Sequence, residues 1–255
     1  MAQYDRQTSA TQSGTQAVID EGLRSYMLGI YNYMGIALGI TGVVAYFLTF
    51  LTTTTNPDAA VAQMGSHYLT QLGVTLYGSP LQWVVALAPL AFVFGLSFGI
   101  NKMRFATAQM VFWGFAVAMG LSLSSIFLQY TGESIARVFF ITAGTFGAMS
   151  LYGYTTKRDL TGMGSFLMMG LIGIIIASIV NIFLASGPLA FAISVIGVLV
   201  FVGLTAYDTQ KIKMMYFEGD GADAMGKKML MGALTLYLDF INLFIMLLRL
   251  FGNRE

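Results

Sequence analysis

Apolar residues in this chain fall in long unbroken runs, not in the alternation of a strand or the narrow stripe of a soluble helix. The first run, about Met27–Leu51, follows Arg24. Six more follow, at about Leu81–Ile100, Phe105–Leu128, Val138–Tyr154, Met163–Leu184, Leu189–Thr209 and Met229–Leu248. A helix crossing the hydrocarbon of a bilayer needs about 20 such residues, so each run predicts one membrane-spanning helix. Between Leu160 and Tyr207 there is no charge at all. That stretch is too long for one helix, and Ala185-Ser186-Gly187-Pro188 divides it. Polar residues supply the punctuation. Residues 52–80, with Asn56-Pro57-Asp58 and Gly78-Ser79-Pro80, read as the longest loop outside the membrane. Asn101-Lys102-Met103-Arg104 reads as a short basic turn, and Glu133 and Arg137 as a surface pair one helical turn apart. Residues 1–21, rich in Gln, Ser and Thr, read as a mobile polar tail. Residues 22–255 then form one membrane domain, an all-α integral membrane protein with seven transmembrane helices.

Composition agrees with this and removes several kinds of chemistry. Of 255 residues, 56% are hydrophobic and 10% charged, where soluble domains carry about 25% charge. A net charge of +1 points to no nucleic-acid partner and leaves the lipid bilayer. There is no cysteine for disulfide or thiol chemistry, and the single histidine, His67, lies in the long loop. With the N-terminus inside, Arg6, Arg24, Lys102, Arg104, Lys157, Arg158, Lys211, Lys213, Lys227 and Lys228 all lie inside. Arg137, Arg249 and Arg254 lie outside, and the positive-inside rule favours this orientation. A last segment that re-enters would bring Arg249 and Arg254 inside, but residues 229–248 are long enough to cross. Gly35 with Gly39, and Gly95 with Gly99, have the spacing that lets helices pack closely in lipid.

Two aspartates stand out. Asp208 lies near the end of the sixth run and Asp239 about ten residues into the seventh. A carboxylate at the centre of a membrane helix costs about 2.5–3.5 kcal/mol and is by default a functional candidate that needs a partner. Each aspartate is the natural partner of the other. Two carboxylates in contact cannot both ionise cheaply, so they share a proton and titrate as a unit. Calcium prefers oxygen ligands and is able to replace the proton, although two carboxylates make only a weak site. Tyr207, Tyr237 and Asn242 are candidates for further oxygens. Counted from Lys213 and Lys228, Asp208 is about 7 Å deep and Asp239 about 16 Å, so their meeting requires tilt or a seventh helix that starts in water.

Four stretches resemble the Bax inhibitor-1 family, also called the transmembrane Bax inhibitor motif family, and most closely its bacterial members. They are Gly120-Leu121-Ser122-Leu123-Ser124-Ser125-Ile126, Tyr152-Gly153-Tyr154-Thr155-Thr156-Lys157-Arg158-Asp159-Leu160, Ala206-Tyr207-Asp208-Thr209-Gln210 and Tyr237-Leu238-Asp239. The resemblance covers about Tyr26 to Arg249. It implies a seven-helix bundle with a central C-terminal helix. It also implies a pH-sensitive calcium leak built on an aspartate pair, here Asp208 and Asp239. Members with that activity use an arginine in the second span to lock the closed pair. Leu81–Ile100 contains none, and Lys102 and Arg104 at its end are the available substitutes.

Other functions fit less well. An aspartyl intramembrane protease needs Gly-x-Gly-Asp where this chain has Leu236-Tyr237-Leu238-Asp239. A rhomboid-type protease or a zinc-dependent lipid hydrolase needs membrane histidines, and a retinal protein needs a lysine in the last span; the chain has neither. No enzyme and no cofactor is expected, with calcium as the candidate permeant ion. The competing expectation is a non-conducting regulator that binds a membrane protease or a stress-response partner. Oligomeric state is not legible in the sequence.

Overall fold

A computed structural model describes residues 2–254, with side chains from Glu21 onward. The expected mobile tail therefore falls almost wholly on residues whose side chains lie outside the described ones. Helix α1 (Ala2–Thr52) carries the first apolar run. It is followed by α2 (Gln71–Tyr77), α3 (Leu81–Gly99), α4 (Phe105–Leu123), α5 (Gly132–Thr155), α6 (Thr161–Leu184), α7 (Gly187–Met214) and α8 (Ala222–Phe251). Seven helical stretches among the described residues, those of α1 and α3 to α8, are long and apolar enough to span a membrane. Their exposed surface is apolar, with Phe183 84% and Phe98 80% exposed. Such a surface is at home in lipid and not in water.

The loop expected over 52–80 contains more order than its turn residues announce. Strands β1 (Thr53–Thr54), β2 (Ala62–Met64) and β3 (His67–Leu69) form an antiparallel sheet in the order β1-β3-β2. Gly65 turns the β2–β3 hairpin with φ +59°, a left-handed conformation that glycine adopts without a Cβ penalty. The break between α6 and α7 falls where Ser186-Gly187-Pro188 put it: Ala185 ends α6 in a left-handed conformation, and the Ser186 hydroxyl accepts from the Leu189 amide.

α8 is the axis of the bundle. In its most apolar stretch 72% of residues are buried, against 11% in α3 and in α6. It packs against α1, α4, α5 and α7; α3 lies mainly against α4, and α6 against α7. α8 also crosses completely. At one end Asp223 Oδ1 accepts from the Phe105 amide at 2.9 Å, tying its first turn to the α3–α4 connection. At the other end the Thr131 amide donates to the Asn253 carbonyl at 3.0 Å, beside the α4–α5 connection. α4 runs between those two connections, so α8 runs the full depth beside it. Arg137 Nη2 donates to the Phe251 carbonyl at 3.2 Å. It satisfies a carbonyl that a helix end leaves open, and among the described residues it makes no ion pair with Glu133.

The glycine pairs read from the sequence do not do the close packing. A methyl group built on Gly35, Gly39 or Gly95 meets nothing within 4 Å, and one on Gly99 meets only the Met103 side chain. Single glycines elsewhere bring helices together. At Gly153 on α5 an added Cβ would stand 2.2 Å from the Ala206 carbonyl oxygen of α7. At Gly164 on α6 it would stand 2.4 Å from the Tyr207 ring.

Candidate functional site

α7 and α8 run antiparallel through the middle of the bundle, and each presents one aspartate to the other. α8 starts at Ala222, so Asp239 lies about 26 Å along it, while Asp208 lies about 9 Å before the end of α7 at Met214. The first turns of α8 therefore project past the end of α7, and this brings two residues of unequal depth in sequence to one level. Those turns are held from several sides. Lys227 pairs with Asp223 at 2.7 Å, Gly226 packs on the Phe105 ring, and Lys228 Nζ pairs with Asp220 and donates to the Met215 carbonyl at 2.9 Å.

The carboxyl groups of Asp208 and Asp239 lie within hydrogen-bonding reach of each other. Asp239 is 5% exposed and Asp208 half-buried. Among the described residues no N–H or O–H of another side chain or of the backbone reaches Asp239 Oδ2. An ionised carboxylate only accepts hydrogen bonds. The contact is therefore a hydrogen bond only while one of the two carries a proton. Lys211, one turn from Asp208, is the cation whose field acts on Asp208, and its Nζ stands 5.9 Å over the Tyr207 ring. Among the described residues no arginine forms an ion pair with either aspartate.

The other residues nominated from the sequence go elsewhere. Tyr207 turns its ring to α6 at Gly164. Tyr237, two positions from Asp239 and so on the far side of α8, bonds Thr41 of α1 at 2.7 Å. Asn242 lies on the Asp239 face but donates to its own helix, to the Leu238 carbonyl at 2.8 Å. Arg104 is exposed at the start of α4. Among the described residues none of the four hydrogen-bonds either carboxyl group, and no cluster of three or more carboxylates or histidines gathers at one point.

The residues that hold the two helices in place were not nominated. Thr209 Oγ1 donates to the Thr205 carbonyl at 2.7 Å, so its oxygen receives the Ser150 hydroxyl at 2.9 Å. Ser150 in turn receives the hydroxyl of Tyr31. The chain ties α1 and α5 to α7 one residue from Asp208. Gln210 clamps the α5–α6 turn with both ends of its amide: Oε1 accepts from the Leu160 amide at 2.8 Å and Nε2 donates to the Arg158 carbonyl at 2.8 Å. Lys213 donates to the Tyr154 carbonyl at 2.8 Å. The stretches Tyr152–Leu160 and Ala206–Gln210, singled out by resemblance, are thus packed on one another. The signal for Gln210 was a neutral polar residue followed by Lys211 at the membrane edge.

Fold and site together define a polytopic membrane protein whose central helix contributes half of a buried carboxyl pair. The family profile described as "Inhibitor of apoptosis-promoting Bax1" matches residues 23–255, and the chain belongs to this Bax inhibitor-1 family. Its relatives include a protein of Rickettsia prowazekii, 49% identical over 98% of this chain and 99% of that one. The Escherichia coli inner membrane protein YbhL is 47% identical over 92% and 94%. A Streptococcus pyogenes membrane protein is 35% identical over 92% and 96%.

Proposed function

We propose that this protein is a pH-sensitive cation leak of a bacterial inner membrane, passing calcium, with the Asp208–Asp239 pair as its gate. The observation that carries this reading is the carboxyl-to-carboxyl contact in the α7–α8 interface, with Asp239 Oδ2 given no donor by any other described residue. With one proton shared, the contact is a hydrogen bond that holds α7 to α8. Loss of that proton leaves two like charges facing each other, one of them buried, and the helices part or take up a cation between them. Calcium suits the position because it prefers oxygen and balances two negative charges. Two carboxylates fall short of its usual six to eight ligands, so it binds weakly and leaves again, as conduction requires. With no arginine on the pair, flux is lowest at acid pH, where both carboxyls are protonated and nothing attracts a cation. Basic residues gathered at the end of the bundle where α1 enters support a cytoplasmic N-terminus.

Calcium entry into liposomes holding the purified chain, followed across about pH 5–8, tests the proposal. Flux should rise with pH in the native chain and lose that dependence in Asp208→Asn and in Asp239→Asn. The double variant should add little, because coupled groups act as a unit. An unchanged pH profile in folded Asp239→Asn would sink the gate. No flux in the native chain would favour the regulator that binds a membrane protease or stress partner. Because the chain lacks cysteine, labelling a lone Lys157→Cys in cells reads the orientation directly.

A further inference from the structure

α1 and α5 both pack on α8, yet a groove of about 540 Å³ separates them, floored by Phe240 of α8. Its size falls within the range of about 300–1,000 Å³ typical of small-molecule sites. The walls are apolar, with Met27, Met34, Phe146 and Leu151 among them. Both Gly35 on α1 and Gly147 on α5 open on it, and a methyl group built on either meets nothing within 4 Å. The one deep polar contact, between Tyr31 and Ser150, is internally satisfied.

Length and charge say what the groove holds. Along α1 it runs from Arg24 to Gly35, and along α5 from Tyr154 back to Ala143. Each is about 16 Å at the rise of an α-helix. That is close to half of a hydrocarbon core about 30 Å thick, so the groove is as deep as one leaflet. It carries a charge at one end only. Exposed Arg24 stands at the basic end of the bundle, and Lys213 lies over the neighbouring Tyr154 ring at 4.9 Å. Among the described residues Arg24 has no ion-pair partner; Glu21, one turn before it, is exposed.

We infer that the α1–α5 groove binds one acyl chain of an anionic phospholipid from the leaflet at the basic end, with its phosphate on Arg24. The site is separate from the carboxyl pair and does not depend on ion conduction. It explains why the two helices, joined at the Tyr31 and Ser150 hydroxyls, stay apart beside Gly35 and Gly147, where glycine on each wall would allow them to close.

The full chain, delipidated in neutral detergent, is titrated with phosphatidylglycerol and with phosphatidylcholine, and bound lipids are counted by native mass spectrometry. One phosphatidylglycerol should be held about five-fold more tightly than phosphatidylcholine, the factor one cation at a lipid surface is worth. Arg24→Gln should remove that preference and leave phosphatidylcholine binding as it was. Gly147→Leu and Gly35→Leu, which enter the groove from opposite walls at positions where an added Cβ meets nothing within 4 Å, should each weaken both lipids by about ten-fold or more. Gly173→Leu, at a position on α6 where an added Cβ likewise meets nothing within 4 Å, should change neither. Retained lipid in both groove-filling variants, or an undiminished preference in Arg24→Gln, overturns the site. A native dimer that these leucines split, with lipid binding unchanged, assigns the groove to a second copy of the chain instead.

Discussion

The hydroxyl chain from Tyr237 through Thr41 and the carboxyl contact between Asp208 and Asp239 both bury polar atoms against α8, yet only the first is complete. Thr41 Oγ1 donates to the Ala116 carbonyl at 2.9 Å, so it accepts from Tyr237, and every proton has an acceptor. The chain from Tyr31 through Ser150 and Thr209 to the Thr205 carbonyl has the same directional order. Both hold helices together at any pH in the physiological range, because no member needs to change its charge. The carboxyl contact has two acceptors and no donor of its own. Its sign, attractive or repulsive, depends on a proton taken from outside. A buried polar network that is satisfied fixes structure, and one that is short of a proton is able to switch.

The largest effect that separates them is expected from Asp239→Asn. The new amide donates to Asp208 whatever the pH, making permanent the bond that the native pair makes only when protonated. A hydrogen bond to a charged group contributes about 2 kcal/mol. The variant should therefore unfold at a higher temperature than the native chain, with a smaller gain toward acid pH, where the native pair regains its shared proton. A loss of stability at both pH values would show that the pair stores no repulsion.

Ser150→Ala should do the reverse. It leaves the Tyr31 hydroxyl without its acceptor and Thr209 without its donor, on two helices at once. The expected cost is about 1.5 kcal/mol, the same at pH 5 and pH 8. Tyr237→Phe should cost less, about 0.6–1 kcal/mol, because Thr41 keeps its bond to Ala116. Its pH independence, read by the same thermal unfolding, is the sharper test of the contrast with Asp239.

Much of this was legible in the sequence, for reasons that also explain the gaps. Hydropathy sees the hydrocarbon portion of a helix and stops at charge, so the seven spans were found while their ends were set short. α5 begins at Gly132, ahead of the Val138 expected, because Glu133 and Arg137 sit on helix turns outside the hydrocarbon. α8 gains two turns at its start for the same reason, and those turns bring Asp239 level with Asp208. The aspartates were visible because a buried carboxylate is costly wherever it lies. Ser150, Thr209 and Thr41 were not, because most membrane threonines bond their own helix, as Thr142 does to Val138 and Thr145 to Ile141. Nothing in the chain marks the few that reach across. Gly153 and Gly164 were passed over for paired glycines because spacing along a helix does not say which face has a neighbour. The strands in 53–69 pair across a polar loop whose residues announce turns and not alternation.

The smallest effect is expected at Asp159, a carboxylate that, unlike the buried pair, is surrounded by water and fully supplied with donors. Its Oδ1 accepts from the Thr161 amide at 2.9 Å and from the Thr161 hydroxyl at 2.6 Å, fixing the turn that starts α6. These two bonds favour the ionised form and hold the carboxyl below the ordinary range. The stabilisation is fully present above the unfolded-state value near 3.9 and is lost as pH falls through the lower folded value. That is the opposite sense to a contact that repels when both of its carboxyls are charged. Hydrogen exchange at the Thr161 amide, measured against an unstructured peptide at the same pH, should therefore lose protection below about pH 4. In Asp159→Ala the protection should already be low at neutral pH, with global unfolding little changed. Equal protection in the two proteins at pH 7 would show that the turn is held by Gln210 alone, whose amide clamps the neighbouring Arg158 carbonyl and Leu160 amide from α7.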